Sequence, residues 1–235
     1  MTPLARISRA IDSIADLNGG NPLVGGVRLL LLREAILDFE DLVKALEPPP
    51  NRVWKITGAF EHHLYQGAVM VAYAMYLMRT EGVRLVQIHP DGEHGEQFDF
   101  QRWLAARRFE KVSSIGTTSY GGVYRNAEGW LVTVNPKSGL GDVEVGEDGR
   151  KISAECKGGI INTRHPGQVS RLYKGLCETV GLLMATTQNG RQIAVVPFTE
   201  GTLRLAERLA TRCAAAGIEI ALVGSRGEIT HVKPK

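Results

Sequence analysis

Gly141-Asp142-Val143-Glu144-Val145 and, after a short polar turn, Ile152-Ser153-Ala154-Glu155-Cys156-Lys157-Gly158-Gly159 decide how this chain is read. Each has the period-two alternation of a strand: Val143 and Val145 alternate with Asp142 and Glu144, and Ile152, Ala154 and Cys156 alternate with Ser153, Glu155 and Lys157. The intervening Gly146-Glu147-Asp148-Gly149-Arg150 contains Asp-Gly, a strong hairpin signal. Side chains alternate across a strand, so Glu155 and Lys157 point the same way, and a hairpin can bring Asp142 beside them. Two carboxylates and an ammonium then converge on one patch.

That patch has a chemical use. Two hard oxygen ligands can hold a magnesium ion that keeps several waters and binds a phosphate, and the lysine can stabilise charge growing on the phosphate oxygens. A plainer reading is a surface hairpin carrying an ordinary cross-strand ion pair.

An acid, an interval, then Glu-x-Lys followed by glycines resembles the PD-(D/E)XK nuclease superfamily, over roughly residues 96–223. One departure is Gly141, where the family usually has proline. The resemblance implies a restriction-endonuclease-like α/β fold, a mixed β-sheet flanked by helices. It also implies a magnesium- or manganese-dependent phosphodiesterase, a nuclease acting on DNA in repair, restriction or defence. In that reading Asp142 and Glu155 are metal ligands and Lys157 orients or activates water. Gln168, on the following helix, assists, and Glu96 is the candidate for a further metal-site glutamate, with Glu61 as its rival. Tyr173 lies five residues after Gln168, so the two diverge by about 140° on a helix, unlike the spacing in one branch of the superfamily.

The rest of the chain bounds these expectations. Its 235 residues, 43% of them apolar, suffice for a sizeable core. A net charge of +3 is only mildly basic, so nucleic acid has to be met by a local patch. The candidates for backbone contacts are Lys137, Arg164, Arg171 and Lys174, with Arg171 sharing a flank with Gln168. Cys156, Cys177 and Cys213 are widely spaced, in segments that read as core, which predicts reduced thiols and a cytoplasmic setting. The apolar run at residues 68–78 falls short of the roughly 20 residues that span a bilayer, so no membrane association is expected.

Helical periodicity is read at residues 4–17 and 27–47, closed by Pro48-Pro49-Pro50. This predicts a helical N-terminal element over residues 1–57, an extra layer or a homodimer contact, ahead of an α/β domain over 58–235. Within that domain a long helix is expected over 59–79, a strand over 83–88 and a helix over 98–109 with Arg102, Arg107 and Arg108 outward. Residues 112–129 read as loop or weak strand, and 130–134 as a strand. After the Glu155 strand come a helix over 168–185, a strand over 192–197, a helix over 201–216, a parallel strand over 218–223 and a basic, disordered tail. His62 and His63, read as helical and so about 100° apart, form with His89 and His94 the histidine-rich feature, for which surface or capping roles are favoured over metal binding. If the hairpin faces a closed surface, the alternative is a nuclease-like module that binds nucleic acid or a protein without cutting.

Overall fold

The computed structural model describes residues 41–52, 55–147, 149–186 and 190–235. The helix expected over 4–17 and the part of the helix expected over 27–47 up to residue 40, and with them any dimer contact they make, lie outside these residues. The compact unit containing the sheet begins at Asp41. Its first element is a strand, β1 (Val43–Leu46), where the end of a helix was expected. It pairs antiparallel with β2 (Glu61–Leu64), in register from Val43 opposite Leu64 to Leu46 opposite Glu61. Backbone pairing between the two segments overrides the helical stripe read in each of them.

The long helix expected over 59–79 is therefore shorter: α1 (Gln66–Thr80) starts only after β2. Twelve of its residues are buried, from Gln66 to Met78, so it is covered on nearly all sides. Next come β3 (Leu85–Ile88), α2 (Gly92–Gln97) and α3 (Phe100–Ala106). Asp91 and Asp99 cap the two short helices through the amides of His94 and Arg102. Arg107 departs from the outward expectation: its guanidinium lies 3.6 Å from the Trp103 ring centroid and pairs with Asp41 at 2.6 Å.

The Ser/Thr/Gly-rich stretch resolves into an antiparallel pair, β4 (Glu110–Ser114) and β5 (Gly122–Arg125), followed by β6 (Leu131–Val134). β7 (Val143–Glu147) and β8 (Arg150–Cys156) form the expected hairpin, with Glu147 opposite Arg150 and Gly149 at a φ of 75°. A two-residue strand, β9 (Gly159–Ile160), then joins β2 to complete a small three-stranded sheet. Gly158 lets the chain cross from β8 to β9, since a Cβ there would stand 2.4 Å from the Leu64 carbonyl oxygen. The remaining elements are α4 (Pro166–Ala185), β10 (Arg191–Pro197), α5 (Glu200–Ala215), β11 (Ile218–Val223) and β12 (Ile229–Val232). The tail expected to be disordered thus supplies an edge strand, antiparallel to β11, after a tight turn in which Gly227 takes a φ of 77°.

The main sheet has nine strands in the order β12-β11-β10-β8-β7-β3-β6-β5-β4. It is mixed: β8, β10 and β11 run parallel to one another, β3 and β6 are parallel, and the other pairings are antiparallel. Helices cover it. α4 and α5 bury Leu176, Val180, Leu183, Ala206 and Cys213 against Ala194, Val196, Ile218, Ile220 and Leu222. The alternate residues of the same strands, Ile193, Val195 and Ala221, are equally buried on the opposite face, which α1 packs against. Cys156 and Cys213 are buried free thiols, whereas Cys177 is exposed on α4, against the expectation of a core position. No helix among the described residues is long and apolar enough to cross a membrane.

The face assignment of α4 is testable with two leucines. Leu176→Ala, at a fully buried site, should lower unfolding free energy by about 2–5 kcal/mol in chemical denaturation. Leu182→Ala, 43% exposed, should change it by no more than about 0.5 kcal/mol.

Candidate functional site

Register builds the site. Val143 pairs with Ala154 and Glu144 with Ser153, so Asp142, one residue ahead of β7, falls opposite Glu155. Both lie on the face of the sheet shared with α4, and Lys157 follows two residues after Glu155. The structure therefore brings the three residues expected from the hairpin onto one face.

Asp142 is fixed from two directions. Its Oδ2 accepts hydrogen bonds from the Cys156 amide at 2.8 Å and from Nε2 of Gln66 at 3.1 Å. Gln66 is the first residue of α1 and is buried, so the helix that fills the opposite layer also orients the aspartate. The preceding turn is tied down by Glu144, whose Oε1 accepts from the amides of Leu140 and Gly141. His89 buttresses the same turn: its Nδ1 donates to the Lys137 carbonyl at 2.8 Å and its Nε2 stands 3.7 Å from Glu144 Oε1. This geometry explains Gly141. A Cβ there would be 2.4 Å from Ser153 Oγ, and a proline would also delete the amide that serves Glu144.

The charges are poorly balanced. Burial raises Asp142 to about 6, opposed by the Cys156 amide and by Lys157. Burial, and next the negative charge of Asp142, raise Glu155 to about 7, opposed by Lys157. Lys157 is itself shared, because its ammonium lies 2.9 Å from Oε1 of Glu178 on α4. Glu178 was not anticipated; its approach depends on how α4 packs beside β8, which spacing along the chain does not encode.

Among the described residues no group of three or more His, Cys, Asp and Glu side chains is disposed to hold a metal ion. Asp142 and Glu155 offer two carboxylates. Glu96 is exposed on α2 and is not among the charged groups that shift either carboxylate, which besides Asp142 acting on Glu155 are Lys157, His89, Asp91, Glu144 and Glu178. Glu61 is buried on β2, within 3.1 Å of Arg52 and 3.0 Å of His63.

Beside the carboxylates opens a cleft of about 420 Å³. Lys157 and Gln66 belong to both, lining the cleft and acting on the carboxylates. Gln168 and Arg171, from the first turns of α4, form one wall, and Arg52, His63 and Tyr65 form another. Among the described residues no acidic side chain lines it. The N-terminal ends of α1 and α4 both open onto it, and neither has an acidic residue in its first turn, so each presents the positive end of its dipole there. Lys137, Arg164 and Lys174 are exposed and stand outside the lining. Tyr173 points elsewhere: a Cβ on Gly201, in the first turn of α5, would meet its ring. Arg52, Tyr65 and Gln66 escaped the sequence reading, and His63 was noted only in the histidine-rich feature. Residues 59–65 were read as helix, whereas on β2 the adjacent His62 and His63 point to opposite faces, and His63, not His62, lines the cleft, as does His94.

Comparison of the chain with protein-family models, curated proteins and solved structures found no match.

The carboxylate pair predicts a pH signature. Both groups have folded values above those of an unfolded chain, 3.8 and 4.5, so their contribution to stability is fully present below about pH 4 and is lost as pH rises through 6 and 7. Metal-free protein should therefore lose thermal stability between pH 5 and 8 more steeply than the Asp142→Asn/Glu155→Gln double variant. Parallel pH profiles for the two proteins would show that the pair is not strained.

Proposed function

We propose that this protein is a metal-dependent nuclease of the PD-(D/E)XK kind, hydrolysing phosphodiester bonds in nucleic acid, DNA foremost, on a restriction-endonuclease-like fold. The observation that carries the proposal is Asp142 opposite Glu155, with Lys157 two residues on, at the rim of a cleft lined by Arg52, Lys157 and Arg171. The element order β7-β8-α4-β10-α5-β11, with parallel pairing of β8, β10 and β11, supports the fold reading.

The residues fit a divalent cation. Two carboxylates, half-buried side by side, repel each other, and their cationic neighbour Lys157 is shared with Glu178. A hard ion that retains waters suits two carboxylate ligands better than a closed cage of protein groups. Magnesium or manganese held by Asp142 and Glu155 supplies Lewis-acid charge for activating water and neutralising the phosphate. Gln66 keeps Asp142 oriented through its hydrogen bond to Oδ2. Lys157 offers its ammonium to the charge developing on the phosphate oxygens, which requires it to give up part of its contact with Glu178. Gln168 and Arg171 hold the sugar-phosphate backbone along the α4 wall.

The Lys157–Glu178 ion pair also favours a second reading, in which the lysine is structural and the module binds nucleic acid without cutting. One experiment separates the two: assay of plasmid, linear and single-stranded DNA and of RNA with magnesium or manganese. Glu155→Gln and Lys157→Ala should each reduce cleavage by about a hundredfold or more, with affinity for nucleic acid retained. Cleavage by both variants at the parent rate would overturn the proposal, and binding without metal-dependent cleavage in the parent protein would select the second reading.

A further inference from the structure

The part of the cleft lining that comes from β2 and its flanks has a composition that phosphate-ester chemistry at Asp142 and Glu155 does not require. Tyr65 lines it, half-buried, with its ring centroid 5.5 Å from that of His63, and the Lys44 ammonium lies 5.9 Å from the same tyrosine ring. His63 is held by Glu61, its Nε2 3.0 Å from Oε2, and Arg52 is held by the other oxygen of that carboxylate, its Nε 3.1 Å from Oε1. Glu61 is only 2% exposed, so one buried anion fixes a cation and an imidazole at the cleft surface. On α4, Arg171 also lines the cleft; it is exposed and, among the described residues, has no ion pair or side-chain hydrogen bond.

A nucleic-acid strand matches this arrangement when it is single. Unpaired bases can stack on aromatic side chains while cations follow the backbone, and both kinds of group are present here within one cleft. In a duplex the bases are already stacked on one another and cannot reach Tyr65. The cleft volume of about 420 Å³ lies at the small end of ligand sites, room for one nucleotide-sized unit, so a duplex would cross the mouth without entering.

We infer that the cleft is a subsite for one unpaired nucleotide beside the scissile bond, its phosphate held between Arg52 and Arg171 and its base stacked on Tyr65. The inference rests on the nuclease reading for its substrate class, and it assigns the enzyme to single-stranded DNA or to single-stranded ends and flaps. Gln66 and Lys157, shared by cleft and carboxylates, are the hinge between the stacked nucleotide and the bond to be cut.

The experiment measures binding apart from cutting. Fluorescence anisotropy with the Glu155→Gln variant in chelator, on a labelled single-stranded oligonucleotide and on the same sequence as a blunt duplex, should show tighter binding of the single strand. In that background Tyr65→Leu should weaken single-strand binding about tenfold and leave duplex binding unchanged, while Tyr65→Phe restores it. Arg171→Ala should weaken single-strand binding about fivefold and lower its salt slope by about 0.7, whereas Arg208→Ala, a charge deletion on exposed α5, should do neither. Because removing Arg52 alone leaves the buried Glu61 carboxylate with only the His63 imidazole against it, that position is tested as the Arg52→Gln/Glu61→Gln double variant, with folding checked by thermal denaturation. Equal affinity for the two DNAs, or single-strand binding indifferent to both Tyr65→Leu and Arg171→Ala, overturns the subsite while leaving the nuclease proposal standing. Absence of any binding to either DNA overturns the nucleic-acid reading itself.

Discussion

Two carboxylates set directly across an antiparallel strand pair repel each other, and this repulsion is the constraint around which the molecule is arranged. Like charges at such a position destabilise a sheet, and half-burying them makes the repulsion worse. Asp142 and Glu155 nevertheless face each other, each pushed upward in pKa by burial. What holds them is unusually specific for an irregular segment. The Cys156 amide and Gln66 bind Asp142, while Glu144 and His89 clamp the turn before it. Gln66 belongs to the most deeply buried helix, so displacing Asp142 means disturbing the core. In the proposed reading this support has a use, since a strained pair of anions is relieved by an ion bound between them.

The cleft next to the pair is lined by cations, two of them already matched, Arg52 by Glu61 and Lys157 by Glu178. Arg171 lines it too, no acid does so among the described residues, and two helix N-termini open onto it. In the proposed nuclease a polyanion held there presents a phosphate to the carboxylates, which by themselves would repel it. In that reading the ion and the substrate are complementary: the ion offsets the carboxylates' charge, and the substrate's phosphates meet the cations.

The hairpin was legible because its information is local. Alternation fixes which side chains share a face, Asp-Gly fixes the turn, and together they set Asp142 against Glu155. The α4, β10, α5 and β11 succession was legible for the same reason: each element has its own periodicity, and a strand-helix-strand unit leaves few arrangements. What escaped depends on distant pairing. Val43-Lys44-Ala45-Leu46 and Glu61-His62-His63-Leu64 have no strong strand signal, and they become strands because they pair with each other and with β9. With β2 misread as helix, the wall bearing Arg52, His63 and Tyr65 could not be seen, nor could Gln66 as a helix-first residue beside Asp142. The tail was misjudged for its charge, although Ile229 and Val232 suffice to add an edge strand once β11 is in place. Glu178 meets Lys157 only through the packing of α4, and Gly175, one turn earlier, is what lets them approach, its Cβ position lying 3.3 Å from that of Lys157.

The central claim is that Asp142 and Glu155 together hold one divalent cation, and manganese titration followed by electron paramagnetic resonance tests it most directly. The account predicts saturable binding of one ion per chain at neutral pH, lost in Asp142→Asn and in Glu155→Gln and kept in Arg171→Ala. Absence of saturable binding, or binding that persists unchanged in both carboxylate variants, would contradict it.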